Sequence, residues 1–348
     1  MSIRTIASKE ENIQRVKFAL AGRVVIGSVN SIVGEEGSGK TTFVAYLAAR
    51  WSRGVLKGDL YRHPCNVRVI GAEDNYNRKW LPSLVAGGAR LSRVKLWERE
   101  DLQALDIRED VEELRDKCMK ERVKVLIFDA VVDNLGSLTD SNHSRQVRRD
   151  LAPLRVLANE LDLVILVCLH TNKRGSNFRQ IAQGSTAFNQ VSRSSLWLTR
   201  VPDGEENERV LFVGKSNYAQ VGNPLEFSIV TAEIDTHSGP MDVATIHLNG
   251  KKSGIQMDEV IAHLNQKAEG DGGSVAKRER LDQLISDLLA DGPRLSREVQ
   301  EECMKDGHKY RTILRARDRL KVQVEYSKSS PPEVWWRLGE EEDEGGEE

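Results

Sequence analysis

The chain has 348 residues, 39% hydrophobic and 30% charged, with a net charge of −2. That balance excludes a disordered polypeptide and leaves room for one large domain and one small one. Met1-Ser2-Ile3-Arg4-Thr5 lacks the apolar stretch of a signal peptide, and no run approaches membrane-spanning length, so a cytoplasmic protein without a membrane partner is expected.

Val29-Asn30-Ser31-Ile32-Val33 reads as a short buried strand, and Thr42-Phe43-Val44-Ala45-Tyr46-Leu47-Ala48-Ala49 reads as a helix. Between them lies Gly34-Glu35-Glu36-Gly37-Ser38-Gly39-Lys40-Thr41, with the two glycines, lysine and hydroxyl of a phosphate-binding loop. Glycines at these positions let successive N–H groups turn inward toward phosphate oxygens. Lys40 then reaches the β- and γ-phosphates, Thr41 takes a Mg²⁺ position, and Thr42 opens the helix. ATP and Mg²⁺ are the expected ligands.

Asn66 to Gly71 is a second strand candidate, followed by Ala72-Glu73-Asp74-Asn75. Val123 to Phe128 is a third, ending at Asp129, the position of an acid that orders the metal's water shell. Ala130 follows where many ATPases carry a hydrolytic glutamate. The base is therefore expected on the neighbouring strand at Glu73, in preference to Asp74, which suits a helix cap. A helix from about Asn142 to Glu160 places Val147, Leu151, Leu154 and Ala158 on one face. Leu163 to Leu169, Ser195 to Leu198 and Val210 to Val213 complete the strands. Strands alternating with helices, the first feeding a phosphate loop, predict an α/β fold with a mainly parallel sheet. Cys65, Cys118, Cys168 and Cys303 form no CxxC pair and are expected as reduced, buried thiols.

These segments together resemble the RecA-like superfamily. Within it they resemble the single-domain hexameric ATPases of the RepA-type replicative helicase kind, AAA-family ATPases of phages and plasmids. The resemblance runs roughly from Gly22 to Asn217. It is carried by the phosphate loop, the acidic motif Ala72-Glu73-Asp74-Asn75, the strand-end motif Leu169-His170-Thr171-Asn172-Lys173, the segment Gln183-Gly184-Ser185-Thr186-Ala187 and the basic end Lys215-Ser216-Asn217. It implies a RecA-like P-loop NTPase core that assembles into a ring, expected to be a hexamer. His170 would sense the γ-phosphate, and Lys215 or Arg193 would complete the site of the adjacent subunit. Taken without the family, His170 is equally a hydrogen-bonded strand-end residue, Lys215 an exposed lysine, and Arg193 a partner within its own helix.

Lys173-Arg174-Gly175-Ser176-Asn177-Phe178-Arg179-Gln180 holds three cations, an aromatic and a glycine. That content suits a loop gripping single-stranded DNA through Lys173, Arg174 and Arg179, or an ordinary solvated loop. Nothing before Gly22 encodes the N-terminal partner domain or the primase of the resembled family. Either a motor working with other replication proteins or a protein that is not a processive motor is therefore expected.

Residues 1–250 are assigned to the core and 251–276 to a linker, with Gln266 to Lys277 rich in Gly and charge. Residues 277–339 read as a winged helix-turn-helix. Arg280 to Ala290 is one helix, with Leu281, Leu284, Ile285 and Leu288 on one face. Ser296 caps a second, Arg297 to Lys305, and a third spans about Tyr310 to Leu320. Val322 to Tyr326 and Val334 to Leu338 pair as a hairpin, with one of Trp335 and Trp336 in the core. Arg311, Arg315 and Arg319 recur every four residues as a basic stripe on the third helix, fit for nucleic acid; a winged helix that docks on protein is the alternative. Residues 340–348 form an acidic tail. Without its seven acids the net charge of −2 becomes +5, which suits a polyanion-binding body, and the tail equally serves solubility.

The function expected from the whole is a Mg²⁺-dependent ATPase motor on DNA, a ring-forming replicative helicase of a mobile element. A recombinase-like ATPase, or an ATP-gated DNA-binding regulator or helicase loader, is the alternative.

Overall fold

The computed structural model describes residues 13–71, 76–98, 105–135, 144–170, 186–202, 204–218, 223–248, 254–255, 258–262, 273–327 and 332–338. The chain forms two compact units, Met1–Val201 with Asn207–Asn265, and Pro202–Glu206 with Gln266–Glu348.

The first unit is built on a nine-stranded sheet. A short pair, β1 (Phe18–Leu20) and β2 (Val24–Val25), precedes it. The sheet's own strands, in chain order, begin with β3 (Ser28–Gly34), β4 (Asn66–Ile70), β5 (Val94–Trp97) and β6 (Val123–Phe128). They continue with β7 (Val164–His170), β8 (Ser194–Arg200), β9 (Glu208–Ser216), β10 (Leu225–Thr236) and β11 (Gly239–Leu248). Their spatial order is β11-β10-β9-β8-β3-β7-β6-β4-β5. From β8 to β5 every pairing is parallel; β9, β10 and β11 add antiparallel strands at one edge.

All seven positions of β3 are buried, the mark of a parallel strand covered on both faces. On one face α1 (Lys40–Arg53) and α2 (Leu81–Ala86) bury Phe43, Leu47, Trp51 and Leu84 against Ile32, Val67 and Leu196. On the other, α3 (Val111–Lys120), α4 (Ser144–Leu161) and α5 (Thr186–Val191) cover Val29, Leu126 and Ile165. The four residues predicted for the inner face of α4, Val147, Leu151, Leu154 and Ala158, are each 0% exposed.

Every strand predicted in the core exists, so the α/β class with a mainly parallel sheet holds. β5 and the β10–β11 hairpin are additional to the strands expected from sequence. In β10 the burial alternates only weakly, because an edge ribbon is partly covered on both faces and loses the two-residue period. The four cysteines are free and buried; desolvation pushes Cys65 up to about 11, Cys118 to about 12 and Cys303 to about 11, so these three stay protonated at neutral pH.

The second unit orders as α6 (Gly273–Leu289), β12 (Arg294–Leu295), α7 (Ser296–Lys305), α8 (Tyr310–Arg319), β13 (Gln323–Tyr326) and β14 (Val334–Arg337). The hairpin β13–β14 forms as expected, and β12 joins it as a third strand through Arg294↔Trp336 and Leu295↔Trp335. Leu281, Ile285, Val299, Cys303, Ile313, Ala316 and Trp336 make the core. Trp336 is the buried member of the tryptophan pair, and the Arg317 guanidinium lies 5.7 Å from its ring centroid.

Two local details differ from expectation. α6 starts at Gly273, inside the segment assigned to the linker, because Ala276-Lys277-Arg278-Glu279 are good helix formers and extend it backward. Residues 258–262 of that assigned region are also helical. Ser296 is the first residue of α7 rather than its cap: Leu295 holds the cap position, being already fixed by the β12–β14 ladder, and no side chain caps the helix. The acidic tail, 340–348, lies outside the described residues.

Candidate nucleotide site

The phosphate loop joins β3 to α1. Gly34 admits no side chain, since a Cβ there would stand 2.6 Å from the Leu198 carbonyl oxygen and 2.7 Å from Ser38 Oγ. Gly39 holds φ at +92° in the cap position of α1, a left-handed conformation that other residues adopt only under strain. The first turn of α1 carries no acid, while Arg50 and Arg53 occupy its last turn. The positive end of the helix is thus left open to an anion.

Lys40 is 4% exposed, and its ammonium donates to the Gly34 carbonyl at 2.9 Å and the Glu35 carbonyl at 2.8 Å. Those bonds satisfy a buried cation inside the loop it serves. Thr41 Oγ1 donates to Asp129 Oδ2 at 3.1 Å, and Asp129 is 4% exposed at the end of β6. One strand, β7, lies between β3 and β6, and it brings His170 into register with Gly34. Nothing is described of the His170 side chain.

β4 is the next parallel neighbour of β6, with Ile70 opposite Phe128, and the Asp129 amide donates to the Ile70 carbonyl at 3.1 Å. The two strands named from sequence as bearers of the acids are therefore adjacent and end together. Glu73 and Asp74, three and four residues beyond Ile70, lie outside the described residues. So do Lys173, Arg174, Arg179 and the Gln183-Gly184-Ser185 segment.

Arg193 and Lys215 are placed elsewhere. The Arg193 amide donates to the Val29 carbonyl, and Lys215 Nζ donates to the Ser192 carbonyl at 3.2 Å. Burial first, and the Arg193 charge second, lower the pKa of Lys215 from that of an ordinary lysine. Through Ser195↔Lys215 and Ser31↔Ser195, Lys215 sits level with the middle of β3, whereas the phosphate loop leaves its far end at Gly34. Three residues of strand between Ser31 and Gly34 amount to about 10 Å.

Three contacts from the antiparallel edge were missed in the sequence. Arg209 of β9 is 5% exposed and donates through Nε to the Ser38 carbonyl at 2.9 Å. Phe227 of β10 stacks on Phe43 of α1 with ring centroids 4.9 Å apart, and Ile229 Cδ1 lies where a Cβ on Gly39 would point. The available signal was an arginine, Arg209, directly before the apolar run Val210 to Val213.

In the second unit, the stripe on α8 is partly engaged. Arg319 forms a two-bond ion pair with Asp282, with Nε to Oδ2 at 2.9 Å, and Arg315 Nη1 donates to the Pro202 carbonyl at 3.0 Å. Arg311 is half-buried.

A buried strand, a glycine loop with an inward lysine, a helix N-terminus clear of acids, and a hydroxyl meeting a strand-end aspartate define a P-loop nucleotide-binding protein of the α/β class. The chain belongs to the AAA domain family, whose model matches residues 3–176, half of its length and all of β1 to β7. Membership brings nucleotide binding and, in general, ATP hydrolysis. No curated protein matches the chain. Among the described residues no helix is long and apolar enough to cross a membrane.

Proposed function

We propose that this chain is a Mg²⁺-dependent ATPase motor on DNA, with a RecA-like core and a winged-helix second unit, that assembles into a ring and serves as the replicative helicase of a mobile element. The observation that carries the reading is the placement of Arg193 and Lys215. Two neighbouring cations stand on the sheet away from the chain's own phosphate loop, which supports a role toward a triphosphate held by another copy over one toward their own.

The residues fit Mg²⁺. Thr41 and Asp129 offer a hydroxyl and a carboxylate, hard oxygens already within 3.1 Å of each other, one from the loop and one from the strand end. When bound, the ion would neutralise charge on the β- and γ-phosphates. Lys40 leaves its carbonyl partners for the terminal phosphates, and the loop's N–H groups hold the remaining oxygens. Glu73, on the segment that follows β4, takes the proton of the attacking water; His170, beside Gly34, relays the state of the γ-phosphate to the segment 171–180. The order helix-strand-helix-helix-strand-strand of the second unit supports the winged-helix reading.

A second reading is an ATP-gated DNA-binding regulator or helicase loader, and α8 supports its loader form. Arg319 and Arg315 spend hydrogen bonds within their own unit, which suits a surface that docks protein better than one that grips phosphates. A strand-displacement assay with nucleotide titrations separates the two. The motor requires ATP-dependent unwinding that Lys40→Ala abolishes together with nucleotide affinity, and that Glu73→Gln abolishes while ATP still binds. DNA binding without displacement by the wild-type chain would favour the regulator; normal turnover by Glu73→Gln would move the base elsewhere.

A further inference from the structure

The phosphate loop is gripped from outside by the antiparallel edge of the sheet, at one peptide. Arg209, the second residue of β9, is 5% exposed; its Nε donates to the Ser38 carbonyl at 2.9 Å and its Nη1 to the Glu208 carbonyl at 3.0 Å. The register explains how a residue 171 positions away reaches the loop. Gly34 lies opposite Leu198 of β8, and Leu198 lies opposite Leu211 of β9. Arg209 is two residues beyond Leu211, so it extends past the end of β3 to the level at which the loop turns. Phe227, its partner on β10, stacks on Phe43 and anchors the same edge to α1.

A trans peptide carries its C=O and N–H on opposite sides of one rigid plane. Fixing the Ser38 carbonyl on Arg209 therefore also fixes the direction of the Gly39 N–H, which points the other way. Gly39 needs such a restraint. At φ +92° it is in a region where glycine moves freely, and the peptide before it could rotate if its oxygen were left to solvent. The Gly39 N–H belongs to the set that a phosphate loop turns on its anion.

We propose that Arg209 is a positioning residue for the nucleotide: by holding the Ser38 carbonyl against β9 it presents the Gly39 N–H to the phosphates. It touches no reacting atom. The proposal rests on the loop being the ATP site. Because this N–H binds phosphate in the ground state and the transition state alike, its misalignment raises KM and leaves kcat nearly untouched.

The test uses the full chain. Wild-type protein is titrated with ATP and ADP, then Arg209→Ala and Arg209→Lys are measured for KM, kcat, ADP affinity and Tm. Arg209→Ala should raise KM and weaken ADP about tenfold with kcat within about twofold, the pattern of lost uniform binding. Guanidinium ion at non-denaturing concentration should restore the Ala variant by refilling the site. Arg209→Lys, which keeps a donor of different geometry, should fall between, at about threefold in KM, and it carries the test alone if the Ala variant does not fold. Wild-type KM in a folded variant overturns the proposal, as does a fall in kcat that tracks a fall in Tm. If wild-type protein binds no nucleotide, the loop reading itself fails, and the titration shows this before any variant is compared.

Discussion

At the scale of single residues, the site depends on where charge is buried. Lys40 is held by two loop carbonyls and Asp129 by the Thr41 hydroxyl, so both ions of the nucleotide site sit preformed and partnered. Lys215 is different: burial and the neighbouring Arg193 depress its pKa, so as pH rises it loses its proton earlier than a lysine at the usual 10.5. If its cation serves a neighbour's triphosphate, ATPase activity should decline on the alkaline side through a pKa below 10.5. Lys215→Arg keeps its charge at every attainable pH and should extend the profile upward. A rate profile that is the same in both proteins would remove Lys215 from the chemistry.

At the scale of elements, the phosphate loop is a turn clamped between two parts of one sheet. β3 delivers it, and the β9–β10 edge closes over it through Arg209, Ile229 and the Phe227–Phe43 stack. Phe227 is 0% exposed and sits in the same cluster as Phe43, Val44 and Leu47. Replacing it with alanine should cost about 3–5 kcal/mol of stability, the range for a buried aromatic that leaves a cavity. Denaturant unfolding of Phe227→Ala checks this, and a loss below about 1 kcal/mol would mean that β10 contributes little to the core.

For the whole molecule, two compact units with separate hydrophobic clusters make their roles separable. The nucleotide machinery lies in the first. Deleting residues 266–348 should therefore leave basal ATPase in place and, on the proposed motor reading, weaken DNA binding, most visibly at low salt, where phosphate contacts count most. Fluorescence anisotropy with single-stranded and duplex DNA measures the change, and unaltered affinity would assign the second unit to a protein partner. Cys65 and Cys118 in the first unit and Cys303 in the second are buried, and desolvation raises their thiol pKa values, which disfavours the reactive thiolate.

What the sequence determined by itself is the chemistry that fits within a few consecutive residues. Gly34 to Thr41 carries its own flanking strand and helix, and the periodicity of α4 names its buried face, because both signals are local. Asp129 was legible for the same reason, as the acid that ends an apolar strand. Only the tertiary structure decided the contacts between distant segments: Thr41 with Asp129 across 88 residues, Ser38 with Arg209 across 171. Strand order sets those, and order depends on which edges pair once the chain has collapsed. No spacing along the sequence encodes that β9 folds back to grip the loop, or that Arg319 turns to Asp282 on α6. Strand polarity along β3 also separated Lys215 from its own loop, a distance that the run Lys215-Ser216-Asn217 does not contain.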